Sequence, residues 1–189
     1  WTTTPWTLPS NTALAVGENI DYCLVRTFNP YTGIPITVIL AKDLLNVYFP
    51  ESNKNLLLEE YQKGDKHIPY KVLGEYKGKE FHGIRYEQLI NWIKVEGKAF
   101  EVVVGDFVNT EEGTGIVHIA PTFGADDFKI SKQYGIEPLL VVDINKNKSP
   151  LVDKQGKFYK IEDLHPDYVK NNVNIEEYKE FAGRYVKNE

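Results

Sequence analysis

Hydrophobic and polar positions along this chain alternate in short runs, separated by turn residues, and long amphipathic stretches are scarce. Residues 13–28 are rich in apolar and β-branched side chains and predict strand. Asn29-Pro30-Tyr31-Thr32-Gly33 is a turn signal, and 34–40 predicts the next strand, so the two form a hairpin. Leu44, Leu45 and Tyr48 sit at helical spacing within 41–48, and Pro50 closes that short helix. The polar stretch 51–66 predicts an exposed excursion. Residues 68–76 and 81–84 flank a Lys-Gly-Lys turn and predict a second hairpin, and 86–93 predicts one or two helical turns. Residues 100–104, 116–119 and 139–142 predict strands. At 124–134 the period lengthens, and Gly135 stands where a helix stop belongs. The last forty residues are polar, with small turns and a short helix expected near 163–170.

Many strands and few, short helices place the chain in the α+β class, mainly β. The expected architecture is a β-barrel core with short peripheral helices. A doubly wound α/β fold needs helices of about 10–15 residues between strands, and 124–134 is the single candidate. The length of 189 residues suits one domain, with a 42% apolar fraction sufficient for a core. No apolar run approaches the roughly 20 residues of a membrane span, and no secretory leader is visible. The lone cysteine, Cys23, excludes an internal disulfide and a cysteine-based zinc site, and favours a reducing compartment. The chain lacks methionine altogether, which leads us to expect a domain, 1–189, excised from a longer protein. A net charge of −5 with no strongly basic stretch means that any nucleic-acid contact is small or assisted by other domains.

Two constellations carry chemistry. The first is Trp1-Thr-Thr-Thr-Pro-Trp-Thr-Leu-Pro-Ser-Asn11. In an extended backbone Thr2 and Thr4 share one side and Thr3 faces the other, so their hydroxyls can hold a water, a ribose hydroxyl or a carbonyl. Without Trp6 and Asn11, the run reads as an edge strand stopped by Pro5. The second is Gly113-Thr-Gly-Ile-Val-His-Ile-Ala-Pro-Thr-Phe-Gly-Ala-Asp-Asp127, which places His118, Phe123, Asp126 and Asp127 around a strand-to-helix corner. It lacks the third glycine of a dinucleotide fingerprint. Asp126 and Asp127 can each offset the positive end of a helix dipole, or one can turn inward onto a substrate ammonium group. A lone histidine in an apolar strand is also an ordinary core residue. No serine sits in a nucleophile-elbow context, and no second histidine or cysteine accompanies the carboxylates for a metal. His67, His82 and His165 lie in polar loops or near turns and receive no role.

Together these segments resemble the editing domain of isoleucyl-tRNA synthetase, the insertion called connective polypeptide 1. Phe181-Ala-Gly-Arg-Tyr-Val186 is similar to that insertion's exit. The related valyl and leucyl enzymes carry Thr-Thr-Arg-Pro at the first motif, and Thr4 here stands at the arginine position. The resemblance implies an aminoacyl-tRNA deacylase that cuts the ester of valine wrongly attached to isoleucine tRNA, with valyl-adenylate as a further candidate substrate. By the same resemblance Thr2, Thr3 and Thr4 line the pocket around the ribose, the ester carbonyl and the attacking water. Asn11 fixes that network, Trp6 and Phe123 form walls, His118 admits valine and excludes isoleucine, and Asp127 binds the α-ammonium group. Asp126 keeps the dipole role. No cofactor or metal is expected in this domain, whereas the parent enzyme is expected to use ATP and magnesium. Its expected partners are the 3′ end of isoleucine tRNA carrying valine and the other domains of the parent, in the cytoplasm and without a membrane. Two other readings stay open: a binding module inactive without the parent enzyme, and a valyl-type editor acting on threonyl-tRNA.

Overall fold

The computed structural model describes residues 2–188; Trp1, the first residue of the threonine motif, lies outside the described residues. Its strands are β1 (Ala13–Val16), β2 (Asp21–Phe28), β3 (Pro35–Ala41), β4 (Lys71–Lys77), β5 (Glu101–Val104), β6 (Ile116–Ile119), β7 (Leu140–Val142) and β8 (Lys148–Pro150). Among the described residues four helices accompany them: α1 (Leu45–Tyr48), α2 (Ala125–Tyr134), α3 (Pro166–Asn172) and α4 (Ile175–Tyr178), with several short 3-10 segments between. The class is therefore mixed α and β, with small sheets and few helices. The expected β-barrel core is not found among the described residues. The strands form three small open sheets, ordered β5-β1-β6, β3-β2-β4 and β7-β8. A barrel closes only when each strand pairs along both edges, and strands of three or four residues such as β1, β5, β6, β7 and β8 offer too little edge. No helix among the described residues is long and apolar enough to cross a membrane.

The chain divides into two compact units, one built from residues 15–82 and 104–117, the other from 2–14, 83–103 and 118–188. In the first unit β2 is central and antiparallel to both neighbours. Cys23 lies opposite Leu40, and Val25 opposite Val38. Cys23, Val25, Leu40 and Tyr70 form its buried cluster, with Val38, Leu45, Phe49 and Val72 packed against them. The strand expected over 13–28 is broken by a turn in which the Ile20 N–H donates to the Gly17 carbonyl at 3.2 Å. The hairpin expected between 68–76 and 81–84 is not formed. β4 pairs with β2 instead, with a register shift beside Leu24 and Val25. Residues 78–81 wind into a 3-10 turn, closed where the Glu80 carboxylate accepts the Lys77 N–H at 2.6 Å. Local turn signals matched this hairpin, but burying Val72 beside Val25 favours the longer-range pairing.

In the second unit the core is aromatic. Trp92 stacks on Phe181 at 4.3 Å between ring centres and meets Phe158 edge-on at 5.3 Å. Leu139, Val141, Leu151, Leu164 and Tyr178 are buried around them. Much of this core comes from the C-terminal forty residues, which the polar composition marked as turns. Fully burying each such side chain contributes about 1.5–3 kcal/mol. The helix expected near 163–170 is α3, and Gly135 ends α2 in the left-handed conformation, φ 66° and ψ 31°. The helical turns expected over 86–93 do not form. Tyr86 is held instead by its N–H on the Phe100 carbonyl at 2.9 Å, and Ile93 bridges to Val173.

Candidate functional site

The threonine run is not the extended strand its composition predicts. Thr4 leads into a 3-10 helix, Pro5–Ser10, because proline fits a helix's first position and cannot donate to a sheet. Thr2 and Thr4 do share one side, through a local bond: the Thr4 N–H donates to Thr2 Oγ1 at 3.0 Å, and the two hydroxyls lie 3.2 Å apart. Three residues per 3-10 turn then bring Thr7 over Thr4. The Thr7 hydroxyl donates to the Thr4 carbonyl at 2.8 Å and lies 3.5 Å from the Thr4 hydroxyl. On its other side it meets His118 Nε2 at 3.0 Å. Thr2, Thr4, Thr7 and His118 thus form one linked polar chain. Thr3 is exposed and stands outside it.

His118 projects from β6 and Asp127 from the first turn of α2. The intervening corner is tight, with the Phe123 N–H on the Ala120 carbonyl at 2.9 Å. Asp127 Oδ2 turns back to accept the Ala120 N–H at 2.8 Å, while Asp126 stays exposed. Burial pushes the Asp127 carboxyl above the usual carboxylate range, and the Ala120 N–H and the nearby His118 partly oppose that rise. Burial lowers His118 below the usual imidazole range, against the pull of the Asp127 charge, so the ring is neutral at pH 7. Phe123 is 41% exposed at the corner.

Two predicted residues are placed differently from the polar chain. Asn11 is 5% exposed and internally bonded: its amide donates to the Ala13 carbonyl at 2.8 Å, and its oxygen accepts the Tyr86 hydroxyl at 2.6 Å. Trp6 lines a separate groove of about 500 Å³ with Trp92, Phe158 and Phe181, under the Lys187 ammonium at 4.9 Å. None of Thr2, Thr3, Thr4, His118 and Asp127 lines that groove. Sequence reasoning missed Thr7 and Tyr86. Reading Pro5 as a helix start would have found Thr7 by its three-residue spacing from Thr4. Nothing in the sequence ties Tyr86 to Asn11. Among the described residues no group of three or more His, Cys, Asp or Glu side chains could hold a metal.

The site can therefore offer hydroxyl oxygens, a neutral imidazole and one partly buried carboxylate. The Thr7 hydroxyl beside His118 donates to the Thr4 carbonyl, so the ring does not activate it as a nucleophile. That set suits positioning a water and a cationic, already activated ester.

No family model matches the chain. It is 57% identical over 188 residues to the isoleucine–tRNA ligase of Bacteroides fragilis, a match covering 100% of this chain and 16% of that protein. It is 59% identical over 181 residues to the isoleucine–tRNA ligase of Cytophaga hutchinsonii, covering 95% of this chain and 16% of that one. At greater distance, the isoleucine–tRNA ligase of Picrophilus torridus is 34% identical over 186 residues, covering 89% of this chain. The solved structure described as GlLeuRS-CP1 overlaps 70% of this chain and 40% of its own at 17% identity and a TM-score of 0.43, a likeness too loose to carry weight. The chain thus spans about one sixth of the length of the relatives it matches. With identity above half sustained along its whole length, this chain belongs to the isoleucine–tRNA ligase family.

Proposed function

We propose that this segment is the editing module of an isoleucine–tRNA ligase, acting as an aminoacyl-tRNA deacylase on valine misattached to isoleucine tRNA. The observation that carries the reading is the linked set of Thr2, Thr4, Thr7 and His118, within the same unit as the Asp127 carboxylate. A site that binds isoleucine cannot strongly reject the smaller valine by contacts alone, and the isoleucine–valine pair is the usual illustration of that limit. A second site that admits only the smaller side chain removes the error. Water adds to the ester carbonyl, the carbon–oxygen bond to the ribose breaks, and valine leaves as the amino acid while the ribose regains its hydroxyl. The threonine hydroxyls hold the water and the ribose, Asp127 neutralises the ammonium group, and the neutral His118 ring bounds the side-chain pocket. The ester is already activated, so positioning supplies most of the rate.

The substrate is the single-stranded 3′ end of isoleucine tRNA, delivered by the remaining domains of the synthetase in the cytoplasm, where the whole enzyme uses ATP and magnesium. Few phosphates then need neutralising here, in keeping with the net charge of −5. The test is deacylation of valyl-tRNA and isoleucyl-tRNA by the purified chain. Valyl-tRNA is cleared and isoleucyl-tRNA spared, and His118→Ala begins to clear isoleucyl-tRNA. Unchanged sparing of isoleucine in that variant removes His118 from the size filter. The acidic surface favours one other reading, a binding module that needs the rest of the enzyme. It is selected if an amide-linked valyl-adenosine binds but only the full-length enzyme deacylates. A preference for threonyl over valyl analogues would instead assign a valyl-type editor.

A further inference from the structure

The Thr7 hydroxyl is buried between two groups, the Thr4 carbonyl at 2.8 Å and His118 Nε2 at 3.0 Å. A hydroxyl carries one proton. Two oxygens 2.8 Å apart repel unless a proton lies between them, and the Thr4 carbonyl can only accept. The Thr7 proton therefore points at Thr4, which leaves lone pairs facing the histidine. Nε2 must then be the protonated nitrogen of the ring. A neutral imidazole has one N–H, so Nδ1 keeps its lone pair. That nitrogen is buried and has no hydrogen-bond partner among the described residues. Buried acceptors are usually satisfied, so an orphan one calls for a donor that arrives with a ligand. Two residues beyond His118, the Ala120 N–H holds the Asp127 carboxylate. A donor that suits both an imidazole lone pair and a carboxylate is an ammonium group, with three N–H bonds and a positive charge.

We propose that Thr7 is a positioning residue that holds His118 as the Nε2-protonated tautomer, so that Nδ1 accepts a hydrogen bond from the ammonium group of the aminoacyl substrate beside Asp127. This rests on the editing reading for the substrate but not for the tautomer. It gives His118 a polar role in addition to its bulk, and it gives the threonine motif a fourth member.

The test uses the full 189-residue chain labelled with ¹⁵N-histidine, with the His118 signals assigned by loss in His118→Gln. In the wild-type chain at neutral pH, the His118 nitrogens show Nε2 as the protonated one. Thr7→Val keeps the shape and removes the hydroxyl: the two tautomers mix, and the amide-linked valyl-adenosine binds about tenfold more weakly, the worth of one hydrogen bond to a charged donor. Thr7→Ser restores both. The matching probe with a hydroxyl in place of the ammonium shows no such tenfold penalty. A wild-type His118 protonated at Nδ1 overturns the proposal, and needs no variant to fold. An unchanged tautomer in Thr7→Val overturns it as well, as does an equal penalty for both probes. If neither probe binds the wild-type chain, the editing reading and the ammonium contact both fall, and the spectra still decide the tautomer by themselves.

Discussion

Replacing Asp127 separates its two jobs, because the carboxylate is at once a structural acceptor and the proposed partner of a cation. Its Oδ2 accepts the Ala120 N–H at 2.8 Å. Asp127→Ala deletes that acceptor and leaves a buried N–H unpaired, which costs about 1–3 kcal/mol of stability. Asp127→Asn keeps an oxygen for the same N–H and removes only the charge. Burial holds the folded-state pKa of Asp127 above its unfolded value of 3.8, so folding disfavours the charged form of this group. This group's favourable contribution is therefore complete below about pH 3.8 and is lost as pH rises through the folded value. A neutral amide therefore leaves stability at pH 7 within about 1 kcal/mol of wild type. Binding behaves differently. A hydrogen bond to a charged group contributes about 1.5–3 kcal/mol, so both variants bind amide-linked valyl-adenosine roughly ten- to a hundredfold more weakly. Urea unfolding gives the stabilities and calorimetric titration the affinities. An Asp127→Asn chain that binds the analogue as tightly as wild type refutes the ammonium contact. Equal destabilisation by both variants refutes the role given to the Ala120 N–H.

Tyr86→Phe leaves the Asn11 oxygen buried without its 2.6 Å donor, so urea unfolding is expected to show a loss of about 1–3 kcal/mol; a midpoint equal to wild type would show that the pair contributes nothing. Below about pH 6.5 the unfolded chain takes up a proton that partly buried His118 resists. Its stabilising contribution is complete above that pH and is lost as pH falls through the lower folded value, a slope that His118→Gln should remove from the stability–pH profile.

Individual elements show where local pattern was enough. The β2–β3 hairpin, α1, α2 with its Gly135 stop, and β5, β6 and β7 each follow from signals within a dozen residues, so the sequence sufficed for them. The second hairpin failed because β4 chose β2, a partner nearly fifty residues away, over its own neighbour. The helical expectation at 86–93 failed because Trp92 and Ile93 are drawn into a core completed by Phe158, Tyr178 and Phe181. In the site, the same division appears. The residue types of Thr2, Thr4, His118 and Asp127 are legible as chemistry-bearing, while Trp6's place in a groove with Trp92 and Asn11's bonds to Ala13 and Tyr86 are set by tertiary packing.

By itself the sequence determined the residue types of the site, the turn and helix signals, and the family, since 57% identity over 188 residues is a property of the string. Tertiary structure decided which hydroxyl meets which ring: Thr7 and His118 lie 111 positions apart, yet their side chains stand 3.0 Å from one another. Among the described residues it also decided that the strands stay in small open sheets and do not close into a barrel. The physical reason is common to both. Periodicity and turn chemistry act over a few residues, whereas strand partners and buried polar contacts are chosen by which arrangement removes most apolar surface from water while satisfying the polar groups it buries.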